Sequence, residues 1–206
     1  EKVEVSEILI KGKSFKGESK NGIQSNALGF MWRPGMPKQK IRIEKCTIDA
    51  GPVAEGLKLS YCHDVIVKDC TIIGGFEDCV DIVRGGFMLF ENCRFVSNDT
   101  KHHFTIKCQV SNVTIKDCVF VNDFNKLIDG AFVDLGNWSD YDIDNLPKTK
   151  DVYIIDYTFE NVSWYKKIIA RRLHAEAPVN RGEGHILRIP RLFVWLFWKL
   201  RRFQVS

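Results

Sequence analysis

The sequence predicts an all-β fold, a parallel β-helix solenoid of about five to six coils, followed by a basic, partly helical C-terminal appendage. Three observations predict it. One apolar pattern recurs around Cys46, Cys70, Cys93, Cys118 and Tyr157. Five residues before these anchors stand Ile41, Val65, Met88, Val113 and Val152, and three before stand Ile43, Val67, Phe90, Ile115 and Ile154. Two after stand Ile48, Ile72, Phe95, Phe120 and Phe159. The second observation is the period: the middle anchors are 24, 23 and 25 residues apart, the spacing of stacked repeats. The third is a further short alternation in each repeat, at 28–30, 57–59, 80–82, 104–106 and 133–135. In each, two inward side chains flank an outward one.

Taken in order, Ile8, Ile10, Lys13 and Phe15 form an N-terminal copy of the pattern. Residues 1–40 make a first coil with an excursion over Lys16–Ser25 and a loop, Trp32–Lys40, that carries Pro34 and Pro37. Residues 41–109 hold the most regular coils. The next coil is interrupted at 122–130 and again at 136–151, where the loop is acidic and aromatic. A last strand spans 152–159, with no clear second-strand partner. No helical period separates the strands and no leucine-rich signature occurs, which excludes a leucine-rich repeat. Coils stack about 4.8 Å apart, so the anchor cysteines are expected to form an internal column inside the bend after the first strand. The solenoid domain is thus 1–160. In 161–206, Ser163–Ala177 reads as a basic helix that caps the open end, whose unpaired backbone would otherwise invite edge association.

The chain has seven cysteines. Four occupy one repeat position, where a small, soft side chain packs well, and no CxxC pair exists, which argues against zinc. Reduced thiols favour a reducing, cytoplasmic compartment. The chain opens at Glu1 rather than methionine, so an upstream residue or segment is expected. No apolar run reaches the length of a bilayer span. Residues 165–206 carry a net charge of +8, leaving −4 for the rest.

Apolar columns around short turns, as in EDCVDIVRGGFMLFENCRF (77–95), resemble the pectin-lyase-like right-handed β-helix superfamily. The resemblance covers about residues 5–160 and rests on the repeat. It implies right-handed coiling and a function among polysaccharide lyases, glycoside hydrolases, phage tailspikes or catalytically silent scaffolds. Fold alone does not choose between these. The consecutive-aspartate signature and downstream Arg-x-Lys of polygalacturonase-like members are missing, as is a pectate-lyase-like cluster of calcium carboxylates.

The outward column of the second strand holds the chemistry: Gly29, Lys58, Asp81, Thr105 and Asp134. Asp81 and Asp134 should stand about 9.6 Å apart, near the upper end of the carboxylate separation of an inverting glycosidase. Asp78 and His102 should be neighbours. Lys107 or Arg84 could take a proton beside a uronate carboxylate or stabilise developing charge. The catalytic set would be Asp81, Asp134, Lys107 and Arg84. A ligand-binding set would be Lys58, Asp78, His102 and Thr105, with Trp138 and Tyr141 as flat faces for sugar rings. The alternative is structural, because a Lys58–Asp81 pair across adjacent coils is a favourable cross-strand ladder. The leading expectation is a non-enzymatic binding or structural β-helix, glycan-binding and phage- or surface-associated. The alternative is a lyase or hydrolase of an acidic glycan. Asp140, Asp142 and Asp144 alternate as calcium ligands would, but the central glycine is missing and Pro147 intrudes, so no cofactor is expected. His102 and His103 face opposite ways and cannot share a metal.

The segment LFVWLFWKLRRF (192–203) is too apolar to leave in water and too short to span a membrane. Phe193, Trp195, Phe197 and Trp198, with Lys199, Arg201 and Arg202, suit a second protomer, the solenoid's own end, or an anionic membrane surface. Nucleic acid fits least, since the cations flank an apolar run rather than a polar groove.

Overall fold

The computed structural model describes residues 5–18, 25–33, 36, 38–98, 102–122, 133–136 and 150–161. They form a parallel solenoid of fourteen strands and no helix. Three columns of strands stack along it. The first begins with β1 (Val5–Lys11) and β4 (Lys38–Glu44) and ends with β13 (Lys150–Ile155). The second is a six-stranded sheet of three-residue strands, β2 (Ser14–Lys16), β5 (Thr47–Asp49), β7 (Thr71–Ile73), β9 (Arg94–Val96), β11 (Val119–Val121) and β14 (Thr158–Glu160). The third begins with β3 (Asn26–Met31) and ends with β12 (Val133–Gly136). Between these ends, β6 (Glu55–Lys68), β8 (Asp78–Glu91) and β10 (His102–Lys116) each supply both the third strand of one coil and the first strand of the next.

Pairing follows the repeat residue by residue. Ile8, Ile41, Val65, Met88, Val113 and Val152 lie in register, as do Ile10, Ile43, Val67, Phe90, Ile115 and Ile154. Phe15, Ile48, Ile72, Phe95, Phe120 and Phe159 form the matching column of the short strands. These columns make the core, and its centre is aromatic: Phe95 stacks on Phe120 at 5.5 Å, and Phe104 meets Phe95 edge-on at 4.6 Å. Ring contacts of this kind stabilise beyond the area they bury.

The cysteine column is present. Cys46, Cys70, Cys93 and Cys118 are buried and unpaired by disulfides. The Cys46 amide donates to Cys70 Sγ and the Cys93 amide to Cys118 Sγ, each at 3.4 Å. The residue before each anchor makes the bend. Gly12, Lys45, Asp69, Asn92, Asp117 and Asp156 all have φ between 50° and 60°. Aspartate and asparagine tolerate this left-handed conformation better than other side chains, and four of the six are Asp or Asn. The amides of these bend residues continue the ladder into the next coil, from Lys45 to Lys68 O, Asp69 to Glu91 O, Asn92 to Lys116 O and Asp117 to Ile155 O at 3.0–3.1 Å.

Two local expectations differ from the structure. The second strand of one coil and the first of the next read as separate elements, whereas β6, β8 and β10 run through the corner. They turn there on left-handed residues (Tyr61 and Asp64; Arg84 and Phe87; Cys108 and Asn112); β6 and β8 keep register through the corner, whereas β10 gains one residue against β8 between Lys107 and Val110. Conversely, the continuous strand expected over 152–159 is two strands, β13 and β14, separated by the bend at Asp156. The apolar alternation is indifferent to a one-residue bend, which explains both.

Outside the core, one register position carries alternating charge: Lys11, Glu44, Lys68, Glu91 and Lys116. Lys68 meets Glu91 at 2.8 Å and Lys11 meets Glu44 at 3.4 Å. These exposed pairs contribute little each, but a slip by one coil would set like charges together. Cys93→Ser should destabilise the solenoid by about 1–3 kcal/mol, because the hydroxyl would replace a soft sulfur packed between Cys70 and Cys118. Urea unfolding checks this, and an unchanged midpoint would show that the column adds nothing.

Candidate functional site

The third-strand column places the expected polar residues together. Gly29, Lys58, Asp81, Thr105 and Asp134 lie in register, and Glu55, Asp78 and His102 form the neighbouring column. Leu57, Leu59, Val80, Ile82, Phe104 and Ile106 point into the core, so strand alternation directs Lys58, Asp81 and Thr105 to the other side of the sheet. Lys58 Nζ donates to Asp81 Oδ2 at 2.8 Å and to Glu55 Oε1 at 3.1 Å. Lys107 Nζ reaches Asp81 Oδ1 at 3.3 Å. His102 Nδ1 lies 3.3 Å from Asp78 Oδ1.

Burial decides what this cluster can do. Asp81 and Glu55 are both 0% exposed, and Asp78 and Thr105 are buried. Burial pushes the Glu55 carboxyl up, and Lys58 only partly offsets that, with Asp81 and Glu77 adding to the rise. Burial alone would push the Lys58 ammonium down, but hydrogen bonding and attraction from Asp81, together with Glu55, outweigh it and hold the pKa above its ordinary value. Lys58 is therefore a fixed cation. Both oxygens of Asp81 face a lysine, and neither is presented to solvent. An ion network of this kind holds three successive coils in register.

The expected catalytic set is divided. Asp81 and Lys107 are paired, whereas Arg84 turns away at the corner: Nη1 donates to Tyr61 Oη at 2.8 Å, and the guanidinium lies 5.2 Å from the Tyr61 ring centroid. The register puts Asp134 two coils from Asp81. Trp138, Tyr141 and the acidic positions Asp140, Asp142 and Asp144 lie outside the described residues. So do residues 163–177, expected from the sequence to be helical, and the apolar segment with Phe193, Trp195, Phe197, Trp198, Lys199, Arg201 and Arg202. Among the described residues no three His, Cys, Asp or Glu side chains converge as metal ligands do.

His103 faces inward, as alternation requires. It is wholly buried, meets the Phe120 ring at 5.3 Å, and its Nε2–H donates to Val121 O at 3.1 Å. Burial depresses its pKa to about 4 from an ordinary 6.5, so it is neutral near neutral pH. It is a core residue and has no role in the outer cluster.

A second feature was missed by sequence reasoning. At the corner between the third strand and the next first strand, Trp32, Lys40, Tyr61, His63, Asp64 and Phe87 line a cavity of about 330 Å³. Phe87 is 67% exposed and has φ +55°, and Tyr61 has φ +58°. A bulky residue in the left-handed region costs about 1–2 kcal/mol. Gly85 makes the turn possible: at φ +121°, a Cβ would lie 2.1 Å from Cys62 O. Cys62 itself donates to Phe30 O and Ser60 O, and burial pushes its thiol up to about 11. That is no reactive nucleophile. The available signal was Phe87, which follows Gly85-Gly86 and falls out of phase with the inward Met88 and Phe90.

A family model described as the right-handed β-helix region matches residues 3–145. No curated protein and no solved structure gives a significant match.

Two outcomes follow from this geometry. Lys58→Met leaves buried Glu55 and Asp81 short of a counter-charge and should cost about 3–5 kcal/mol, read from urea midpoints; a neutral effect would show the network is not structural. His103 makes stability rise with pH. The unfolded chain binds the proton near 6.5 and the folded chain only near 4, so about 3 kcal/mol should be lost as pH falls through that window. His103→Leu should flatten the slope between those values, and an unchanged slope would place the titration elsewhere.

Proposed function

The chain belongs to the right-handed β-helix family, and on that premise we propose that it is a non-enzymatic binding or structural protein. Its third-strand face is an ion-paired clamp between coils, and glycan contact falls to other exposed surface. The observation that carries this reading is Asp81, fully buried with Lys58 at one oxygen and Lys107 at the other. A general acid or nucleophile needs an oxygen that can approach a substrate atom, and a general base needs a cation that can give up its proton. Lys58 is held charged by its two carboxylates, which favours cohesion over proton transfer. Arg84, which an elimination mechanism would need beside the developing charge, is engaged with Tyr61 instead.

The rival reading is a polysaccharide lyase or glycoside hydrolase built on Asp81, Asp134 and Lys107, and one experiment separates the two. The full chain is incubated with a panel of uronate-containing polysaccharides, while absorbance reports new unsaturated ends and a reducing-end assay reports hydrolysis. Neither signal should rise above the buffer control. Turnover that disappears in Lys107→Met would overturn the reading and make the cluster an active site.

A further inference from the structure

We propose that the outward face of the first-strand sheet is a homodimer interface, on which a second copy of this chain packs antiparallel about a two-fold axis between Lys68 and Glu91. Ile41 and Ile43, with their equivalents in the other coils, belong to the core, so the residue between them faces outward. Those outward residues form one column in register: Leu9, Arg42, Ile66, Leu89, Thr114 and Tyr153. Apolar side chains dominate it, whereas the equivalent column of the third strands holds Lys58, Asp81 and Thr105. Ile66 and Leu89, adjacent at the centre, are half-buried, and the two ends stand open, with Leu9 60% and Tyr153 39% exposed. An apolar stripe rimmed by charge on a solvent-facing sheet marks a protein–protein surface.

Charge selects the partner. Two residues on, and facing the same way, the next column reads Lys11, Glu44, Lys68, Glu91, Lys116 and Ile155. A two-fold axis parallel to the strands reverses the order of the coils and keeps each column over itself. Centred between the third and fourth of the six first strands, it sets Lys68 of one copy against Glu91 of the other, and Glu44 against Lys116. The same operation lays Ile66 on Leu89 and Leu9 on Tyr153, and brings Ile155, 42% exposed, to the stem of Lys11. One position further, Lys45 meets Asp117. On the opposite rim Glu7 comes near Asp151, a like-charge pair that water and salt screen. An axis through a coil would oppose like charges all along the ladder. An axis at a neighbouring gap keeps the signs opposite but leaves two coils uncovered. The order of signs therefore fits one offset best. Six strands about 4.8 Å apart, each contributing five residues of about 3.3 Å, make a face of about 29 by 17 Å. Over two copies this is about 1,000 Å², the lower bound of a specific interface, so the dimer is a weak one.

Sedimentation velocity of the full chain, from micromolar to several hundred micromolar, tests this, and a monomer–dimer equilibrium is expected. Lys68→Glu and Glu91→Lys each place like charges across the axis, so each protein alone should dimerise about tenfold more weakly or worse. In an equal mixture the signs are complementary again on both sides of the axis, and heterodimers should form with the affinity of the unaltered chain. Neither impaired folding nor a contact elsewhere on the surface would be repaired by mixing. Leu9→Lys, at an exposed position, should weaken the dimer by about tenfold and leave the melting temperature unchanged. The proposal is overturned if the full chain stays monomeric throughout that range. It is equally overturned if the charge variants or Leu9→Lys dimerise as the unaltered chain does, the result expected of self-association through the apolar C-terminal segment. Failure of the mixture to restore dimers, with both variants melting as the unaltered chain does, would also overturn it.

Discussion

The bend before each anchor is the constraint on which the rest of the solenoid depends. At Lys45, Asp69, Asn92, Asp117 and Asp156 the backbone enters the left-handed region, turns the chain from the first strand to the short one, and drops the next side chain into the interior. Cysteine supplies a small group there at four of these five bends, and at the fifth Tyr157 packs against the core. Because the amides of Lys45, Asp69, Asn92 and Asp117 each bond the next coil, the turn propagates from coil to coil. Register then follows: once the bends stack, every inward residue lies over its equivalent, and the apolar columns form without further instruction.

Stacked registers multiply whatever occupies an outward position, which is why polar columns must be neutralised. The chain does this in two ways. On the first-strand face, Lys11, Glu44, Lys68, Glu91 and Lys116 alternate in sign along the stack, an exposed ladder that contributes little energy but penalises misregister. On the third-strand face the same device is buried, with Lys58 between Glu55 and Asp81. Burial raises the stakes there, because removing one partner strands the others. Catalysis by Asp81 would require that carboxylate to be unneutralised and reachable, and it is neither.

Much of this was legible in the sequence. The spacing of Ile41, Ile43, Cys46 and Ile48, repeated at each anchor, states the core columns, and the register confirms them position by position. The outward column of Lys58, Asp81, Thr105 and Asp134 was legible for the same reason, since a fixed period maps sequence onto neighbours. Other features were hidden. Whether Asp81 is a reactive acid or a clamp depends on burial and on two lysine distances, neither of which a pattern encodes. The corner cavity escaped notice because Tyr61 and Phe87 stand at corners outside the apolar columns. There a left-handed residue redirects its side chain without any mark in the alternation. The alternating first-strand charges were readable but lie two residues before each anchor, on positions that an apolar pattern passes over.

Native-state hydrogen exchange measures the central claim most directly. If the stacked bends hold the solenoid together, the amides of Asp69, Asn92 and Asp117 exchange only through global unfolding, with the same free energy as the core amides of Val67, Phe90 and Ile115. Exchange at the bends through local opening, markedly faster than at those strand amides, would contradict the account and move the origin of register to the strands themselves.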